Sequence, residues 1–261
     1  MNHNHTDNNH QPTRNRYIAI CPDEHKDVLC TELDELGAED VVADFRAVYF
    51  SADLATFYAA HLKLRTASAL LRIIKVIRMP TEDNIYRQCL RIKWQEILAA
   101  NLTFRVDGID ADRSGSGLPA QVVSKKIRLA ICAYCQRHGL PKPRVDLDNP
   151  HIVISGYNQQ HKCIISINTS GMSMHKRGFR GGSAAAHPAP LKETLAASIL
   201  LKIGYHGQKP LLDVMCGSGT IAIEAALIAL KHAPLALRSN NQFAFTHHRD
   251  FSNSVWRTVQ E

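Results

Sequence analysis

A glycine loop late in the chain constrains the fold more than any other feature of the sequence. An apolar run at residues 210–214 precedes the loop, and an apolar stretch of helical length follows it at 220–230. Gly217 and Gly219 let the backbone turn sharply and approach a ligand closely, and the amides of the following helix then face the bound group. A short buried strand, a glycine loop and a helix in this order predict the beginning of a doubly wound α/β domain.

Two kinds of ligand fit such a loop. Gly217, Gly219 and Ala222 satisfy the G-x-G-x-x-A pattern of dinucleotide-binding proteins, which predicts an acidic residue about 20 positions later for the ribose. Residues 225–249 contain no Asp or Glu. Asp213 lies before the first glycine, where a carboxylate at a strand end can accept hydrogen bonds from the ammonium of S-adenosylmethionine. We therefore favour a methyl-donor site over a nucleotide-dependent oxidoreductase, and an ordinary glycine turn is the remaining alternative.

The chain before this loop alternates helical and extended patterns irregularly. Strands are predicted at residues 17–21, 41–45, 47–51, 68–77, 102–107, 151–157 and 162–169, and helices at 23–36, 53–61, 82–98 and 119–139. Because strand and helix do not repeat regularly, the pattern predicts an α+β unit rather than a parallel sheet. A glycine-rich connector at 171–188 separates this unit from a predicted helix at 191–203.

The net charge of +7 is distributed unevenly along the chain. Acidic residues outnumber basic ones in residues 1–60, whereas Lys and Arg outnumber Asp and Glu in residues 61–180. Lys and Arg bind polyanions because they release condensed counterions from nucleic acid. The basic middle of the chain therefore indicates a nucleic-acid-binding segment, and a solvated charged face is the alternative.

Composition argues against membrane insertion and export. No apolar run approaches the length of a membrane-spanning helix, and the Asn- and His-rich tail at residues 1–15 lacks the apolar core of a secretory signal. We expect this tail to be disordered. The seven Cys are scattered and odd in number, which favours reduced thiols and a cytoplasmic location. Cys132 and Cys135 form a C-x-x-C without a second pair at zinc-ligand spacing, so we expect core packing and no metal site.

Several segments taken together resemble one enzyme family. They are Gly139-Leu140-Pro141-Lys142-Pro143 with Val145-Asp146, then His175-Lys176-Arg177-Gly178-Phe179-Arg180, then Ala189-Pro190-Leu191-Lys192-Glu193-Thr194-Leu195-Ala196, and finally Asp213 to Thr220 with Glu224-Ala225-Ala226. In order and spacing they are similar to the THUMP-containing guanine-N2 methyltransferases of large-subunit ribosomal RNA, and the similarity spans roughly residues 17–261. Val214 stands where that family usually has Pro.

The resemblance implies a fold and a division of the chain. After the tail, residues 16–60 form a ferredoxin-like part and residues 61–170 a THUMP RNA-binding domain, which together make an α+β module. A linker at 171–188 leads to residues 189–261, the truncated start of an α/β class I, Rossmann-like methyltransferase domain. The implied cofactor is S-adenosylmethionine, and the implied partner is ribosomal RNA, with transfer RNA as the alternative.

The resemblance and the charge pattern together point to site residues. The residues expected at the donor site are Asp213, Gly217, Gly219, Thr220, Glu193 and Thr194. The residues expected to contact RNA are Arg113, Lys125, Lys126, Arg128, Lys176, Arg177 and Arg180. In the predicted helix at 119–139, Val123, Ile127 and Ile131 share one face, which leaves the basic residues at 125, 126 and 128 on the exposed side.

No catalytic residue is expected in this chain. The family orients the target guanine with an Asn-Pro-Pro-Tyr sequence, and the nearest counterpart here is Asn149-Pro150-His151. That tripeptide lacks the second proline and the aromatic ring and precedes the glycine loop, so a turn explains it better than a permuted domain. We expect either the N-terminal portion of a longer enzyme or an RNA-binding module without activity. Residues from about 186 onward are then expected to be loosely held, aggregation-prone or dependent on a missing partner segment, because the sheet around 211–214 would be unfinished.

Overall fold

The structure, a computed structural model, describes residues 15–99, 102–111, 117–159, 161–179 and 191–261. Nearly all of the predicted N-terminal tail and the second half of the predicted linker lie outside these described residues. The same is true of Arg113, Gly115 and Arg180, so the expectations placed on them remain expectations.

One mixed sheet of eight strands organises the first part of the chain. The strands are β1 (Asn15–Ile20), β2 (Glu39–Asp44), β3 (Ala47–Ala52), β4 (Ala69–Arg78), β5 (Thr103–Asp110), β6 (Arg144–Val145), β7 (Ile152–Gln159) and β8 (Lys162–Asn168). Their order is β2-β3-β1-β4-β8-β7-β5-β6, with β5 parallel to β6 and β7 and the other pairs antiparallel. Because β4 pairs with both β1 and β8, the two halves of this part share one hydrogen-bonded sheet. The predicted α+β character is confirmed.

Four helices pack against one face of this sheet. They are α1 (Lys26–Glu35), α2 (Leu54–Lys63), α3 (Glu82–Cys89) and α4 (Ala120–Arg137). Two strand glycines explain how closely α4 approaches the sheet. A Cβ at Gly108 would lie 1.9 Å from the carbonyl oxygen of Ala120, and one at Gly156 would lie 2.6 Å from Cδ1 of Ile127. Any larger residue at these two positions would push α4 away from the sheet.

The helix predicted at 82–98 ends earlier than expected, at Cys89. It begins after Thr81, whose hydroxyl accepts the amide hydrogen of Asn84 at 3.1 Å. At its other end the carbonyl of Cys89 accepts the indole hydrogen of Trp94 at 2.8 Å. Trp94 is fully buried, and a short 3-10 turn at Trp94–Glu96 carries it into the core. The apolar periodicity therefore continues past the helix because the following turn also contributes core side chains.

The C-terminal part of the chain joins the same core. Its helices are α5 (Glu193–Lys202), α6 (Thr220–Ala229) and α7 (Asn253–Gln260). Phe243, Phe245 and Trp256 are each 1% exposed and belong to the cluster that α1 and α2 form with the sheet. The ring of Tyr58 on α2 lies 4.9 Å from that of Phe245 and 5.6 Å from that of Trp256. The hydroxyl oxygen of Tyr58 also accepts the amide hydrogen of Ser252 at 3.0 Å.

The structure bears on two expectations about this C-terminal part. The aromatic side chains after residue 240 pack in the core described above, so the loose packing expected from about 186 onward does not extend to them. The segment 210–214 forms no strand, and Leu212 and Val214 are 85% and 81% exposed. A strand requires a hydrogen-bonded neighbour, and every strand among the described residues belongs to the sheet β1 to β8.

Replacement of Trp256 tests whether the C-terminal part is integral to the core. Trp256→Ala is expected to lower the free energy of unfolding by about 3–5 kcal/mol, because it removes a fully buried indole and leaves a cavity. Arg257→Ala, an exposed neighbour on the same helix, is the matched control and should change it by no more than about 0.5 kcal/mol. Urea unfolding of the full chain measures both values. Equal effects of the two substitutions would contradict this packing.

Candidate functional site

The glycine loop forms the N-terminal end of α6. Gly217 and Gly219 both adopt left-handed backbone conformations, with φ of 51° and 74°, which glycine enters without strain. The amide of Gly219 donates to the carbonyl of Cys216 at 2.7 Å and closes the turn. No side chain caps α6, and a Cβ added at Gly219 would meet nothing within 4 Å. The loop therefore presents the positive end of a helix to open space.

Asp213 provides a carboxylate beside this loop. Its Oδ1 accepts the amide hydrogen of Met215 at 3.1 Å, which fixes the orientation of the side chain. Its Oδ2 is buried and has no hydrogen-bond partner. A buried acceptor without a partner is costly unless a ligand supplies the donor. The geometry therefore fits a ligand that carries an ammonium group, such as the amino acid end of S-adenosylmethionine.

The other predicted donor-site residues lie at the starts of two helices. Thr220 opens α6 and is buried, with its hydroxyl oxygen 3.2 Å from that of Ser218. Glu193 and Thr194 are also buried and open α5, which packs against α6. Glu193 lies close enough to Glu224 to contribute to the raised pKa of that carboxyl group. Thr194 faces instead a groove on the sheet.

A buried ion pair fixes α6 to the first part of the chain. Nε of Arg177 donates to Oε1 of Glu224 at 3.2 Å, and both side chains are fully buried. The same guanidinium donates to the carbonyls of Met174 at 3.0 Å and Arg65 at 2.6 Å. Burial raises the pKa of Glu224, and the charge of Arg177 opposes this rise. The expected RNA contact by Arg177 is therefore wrong, because its donors are used inside the protein.

Two further arginines bind main-chain carbonyls around this pair. Nη2 of Arg65 donates to the carbonyls of Leu227 at 3.2 Å and His232 at 2.7 Å, where α6 ends. Arg238 donates to several carbonyls in the loop after β8, including that of Ser173 at 2.6 Å. Burial lowers the pKa of Arg238 to about 10, and the nearby charge of Arg177 contributes. Neither arginine was predicted from the sequence, because every residue type carries a main-chain carbonyl and such an acceptor therefore leaves no motif.

The remaining described cations that were expected to bind RNA differ in exposure and in whether they have a carboxylate partner. Lys125 and Arg128 are exposed on α4, and Lys176 is exposed in the loop after β8. Lys126 is half-buried, and its ammonium lies 3.0 Å from Oε2 of Glu82 on α3. The face of α4 opposite the core is therefore basic at Lys125 and Arg128, whereas Lys126 already has a carboxylate partner.

The described ranges hold neither a metal-site cluster nor a membrane-spanning helix. No group of three or more His, Cys, Asp or Glu in these ranges has the arrangement of a metal site. None of the helices that the structure describes has the length and apolarity needed to cross a bilayer. Cys135 is buried in the core beneath α4, and Cys132 is half-buried on the same helix.

Two isosteric substitutions, one in the buried pair and one in an exposed pair, should differ strongly in their effect on the free energy of unfolding. Glu224→Gln removes the only carboxylate that contacts the guanidinium of Arg177 among the described residues, and it should lower the free energy of unfolding by about 3–5 kcal/mol. Glu96→Gln breaks the exposed pair with Lys93 and should cost no more than about 1 kcal/mol. Urea unfolding measures both. A Glu224→Gln chain as stable as the Glu96→Gln chain would show that the buried pair does not hold α6.

Family models match three consecutive segments of the chain. Residues 16–71 match the RlmL ferredoxin-like domain, and residues 80–168 match the THUMP domain. Residues 180–260 match a domain described as RMKL-like, methyltransferase domain. The glycine loop, Asp213 and the Arg177 partner Glu224 all lie in or beside the third segment.

Relatives and solved structures agree with these matches. The chain is 31% identical over 246 residues to the ribosomal RNA large subunit methyltransferase K/L of Vibrio campbellii. The matched region covers 94% of this chain and 34% of the relative. The chain thus spans about a third of the length of that relative. The crystal structure of a predicted N6-adenine-specific DNA methylase from Listeria monocytogenes superposes with a TM-score of 0.81 at 25% identity, over 95% of this chain and 63% of that chain.

A second solved structure shares the fold. SMU.472, complexed with SAH, superposes with a TM-score of 0.81 at 24% identity, over 96% of this chain and 64% of that chain. The order of the matched segments is the order of the units in the structure, with the sheet-bearing part first and the glycine loop last. The chain therefore carries an RlmL-type ferredoxin-like domain, a THUMP domain and a segment of an RMKL-like methyltransferase domain, and it is homologous to the ribosomal RNA large subunit methyltransferases K/L over most of its length.

Proposed function

We propose that this chain supplies the RNA-binding part and the methyl-donor loop of an S-adenosylmethionine-dependent enzyme that methylates N2 of a guanine in large-subunit ribosomal RNA. One observation carries the proposal: a THUMP domain and an RMKL-like methyltransferase segment occur together on one chain, and the buried Arg177–Glu224 pair joins α6 to the loop after β8. Transfer RNA is the alternative substrate. Either substrate implies a cytoplasmic site of action.

S-adenosylmethionine, when bound, supplies the methyl group that the reaction transfers. In this proposal the free Oδ2 of Asp213 accepts hydrogen bonds from its ammonium group. Gly217 and Gly219 leave room for the ligand along the loop, and Thr220 starts the helix whose amides point toward it. Glu193 and Thr194 complete the proposed set from the start of α5, a helix that packs on α6.

The RNA is proposed to contact the exposed cations of the THUMP part. Lys125 and Arg128 lie on the solvent face of α4, and Lys176 lies in the loop that leads toward the donor segment. Arg113 and Arg180 remain proposed contacts from outside the described residues, and Lys126 contributes only if it leaves Glu82. An RNA held by α4 and by Lys176 would extend from the sheet-bearing part toward the glycine loop.

Charge reversal on α4 tests the RNA-binding proposal. The double change Lys125→Glu and Arg128→Glu should weaken binding of ribosomal RNA about equally for all sequences, since phosphate contacts carry no sequence information. It should also flatten the dependence of log Kd on log salt by about 0.7 for each lost contact to a single strand. Lys63→Glu, an exposed position on α2, is the control with the same kind of charge change. Unchanged affinity and slope in the double variant would refute the assignment.

A transfer assay tests the catalytic half of the proposal. The chain alone is expected to transfer no tritium from labelled S-adenosylmethionine to protein-free ribosomal RNA, because its sequence has no Asn-Pro-Pro-Tyr to orient the exocyclic amine and stack on the base. A separately expressed segment with that sequence should restore transfer, and Asp213→Ala should abolish the restored activity. Turnover by the chain alone would show that the catalytic groups lie elsewhere in it. Label on transfer RNA only would favour the alternative substrate.

A second candidate function, RNA binding without catalysis, is favoured by the same absence of an Asn-Pro-Pro-Tyr sequence. In that case the chain binds ribosomal RNA with the salt dependence described above, yet no added segment restores transfer. Binding of S-adenosylmethionine separates the two functions, since only the first requires it. Equilibrium dialysis with the unsubstituted chain and with Asp213→Ala measures this binding directly.

A further inference from the structure

The second face of the sheet carries an apolar cluster formed by strand residues only. Ile18, Ala47 and Ile164 are buried there, and Ile20, Tyr49, Leu71, Ile73 and Tyr157 are partly buried against them. The helices α1 to α4 pack on the other face, and none of their residues joins this cluster. Among the described residues, the middle of this face is therefore covered by no helix.

Cross-strand pairing shows how the cluster continues across the sheet. Ile18 pairs with both Tyr49 and Leu71, and Ile164 pairs with Tyr157. Residues opposite each other on neighbouring strands point to the same face. Ile109 pairs with Tyr157 and is 44% exposed, so apolar surface extends to β5.

The face is concave, and its two tyrosines line one groove. A cavity of about 630 Å³ includes Tyr49, from β3, and Tyr157, from β7, among its lining residues. That volume lies in the range of ligand-binding clefts, about 300–1,000 Å³. Burial raises the pKa of Tyr49 to about 12 and also raises the pKa of Tyr157. The negative charge of Asp44 adds to the rise in both tyrosines. The same carboxylate thus lies within electrostatic reach of both rings, which stay uncharged at neutral pH.

Basic side chains border this groove. The groove itself is lined by Arg46 and Lys192, and its adjoining edge by Arg16 and Lys162. Strand register places Arg78 opposite Lys162. The ammonium of Lys162 lies 5.8 Å from the centre of the Tyr49 ring and 3.8 Å from the carboxylate of Asp44. Asp107, on β5, is also acidic, but its carboxylate is paired with Arg105 at 2.9 Å. Asp40 lines the adjoining edge as well and accepts the hydroxyl hydrogen of Ser51 at 2.8 Å. The rim therefore has five cations and three carboxylates, and two of the carboxylates, Asp44 and Asp107, have cationic partners.

One end of the groove reaches the donor segment. Lys192 and Thr194, at the start of α5, line the groove together with His175 from the loop after β8. Because α5 packs on α6, a ligand lying along the groove would end beside the helices that carry the proposed donor site.

We propose that this open face of the sheet binds unpaired RNA nucleotides, with bases stacked on Tyr49 and Tyr157 and phosphates near the cations of the rim. The proposal rests on the function proposed above and specifies single-stranded RNA as the occupant. Aromatic rings on an apolar floor favour bases, since every base has a face that stacks on an aromatic ring. A paired duplex hides its base faces and would gain nothing from these rings. The groove would guide an unpaired stretch from the THUMP part toward the donor loop.

Ring removal at the two tyrosines tests this site in the full chain. The probes are a mixed-sequence single-stranded oligoribonucleotide and a blunt RNA duplex of equal length. Tyr49→Leu and Tyr157→Leu should each weaken binding of the single strand by about five- to 150-fold, the range for loss of one base–aromatic stack. Tyr49→Phe and Tyr157→Phe keep the rings and should bind as the unsubstituted chain does. None of the four should change binding of the duplex or the salt slope.

The outcomes separate this site from the proposed function. If the unsubstituted chain binds the single strand and both Leu variants bind it equally well, the groove is not an RNA site, although the contacts on α4 still stand. If the unsubstituted chain binds no RNA, both proposals fail together. Photocrosslinking of a 5-iodouridine strand to the unsubstituted chain is the second measurement, because it needs no variant. Crosslinks within residues 47–52 or 152–159 support the site, and crosslinks confined to α4 overturn it.

Discussion

The geometry of the donor loop depends on the buried contact between Arg177 and Glu224. Glu224 lies one turn after the start of α6, the helix that the glycine loop begins, and Arg177 lies in the loop that follows the last strand of the sheet. A charged carboxylate without a partner at this depth would destabilise the fold by several kcal/mol. The guanidinium supplies the partner and, with its remaining donors, binds the carbonyls of Met174 and Arg65. One side chain thereby joins α6, the end of α2 and the loop after β8.

Several other contacts also attach the C-terminal helices to the first part of the chain. Arg65 binds the carbonyls at the far end of α6, where a cation is favoured by the helix dipole. Lys202 on α5 lies 3.0 Å from Asp27 on α1. The aromatic residues after α6 return to α2 and complete its core. The helix that carries the donor loop is therefore held at both ends and from behind, while the loop itself and the apolar residues Leu212, Val214 and Met215 face outward.

Periodicity predicted the first part of this fold well because its elements are specified locally. Runs rich in Leu, Ile and Val identify long strands such as β4. The helix α4 was predicted within two residues at each end because proline precedes it and glycine follows it. Elements whose form depends on distant partners were predicted less well. Helix α3 ends at Cys89, and the turn that follows buries Trp94 in a core shared with α4 and later strands. Residues 210–214 lack a neighbouring strand. The C-terminal helix α7 was missed, although Ser252 caps it and Trp256 packs both on nearby Phe245 and on Tyr58, distant in sequence.

In the candidate site, too, residues specified by the local sequence were predicted correctly, and residues whose partners are distant in sequence were not. Gly217 and Gly219 were identified because a left-handed turn before a helix requires glycine at particular positions. Arg177 was assigned to RNA on the basis of its basic neighbours, and its true partner, Glu224, is distant in sequence. A glutamate within a wholly apolar helix was the available signal, since such a side chain needs a buried cation. The tyrosine groove had no local signature, because pairing across five strands brings its residues together.

The central claim is that the donor-loop helix and the THUMP-bearing sheet form one cooperative body, and native-state hydrogen exchange of the full chain tests it most directly. Amides within α6 and α7 should open with the same free energy and the same denaturant dependence as those of β4 and β8, since α7 packs in the core on α2 and the sheet and the side chains of Arg177 and Arg65 bind α6 to that part. If α6 and α7 instead exchange at nearly the rate of an unfolded chain while β4 and β8 remain protected, the donor segment is not fixed to the RNA-binding part and the account is wrong.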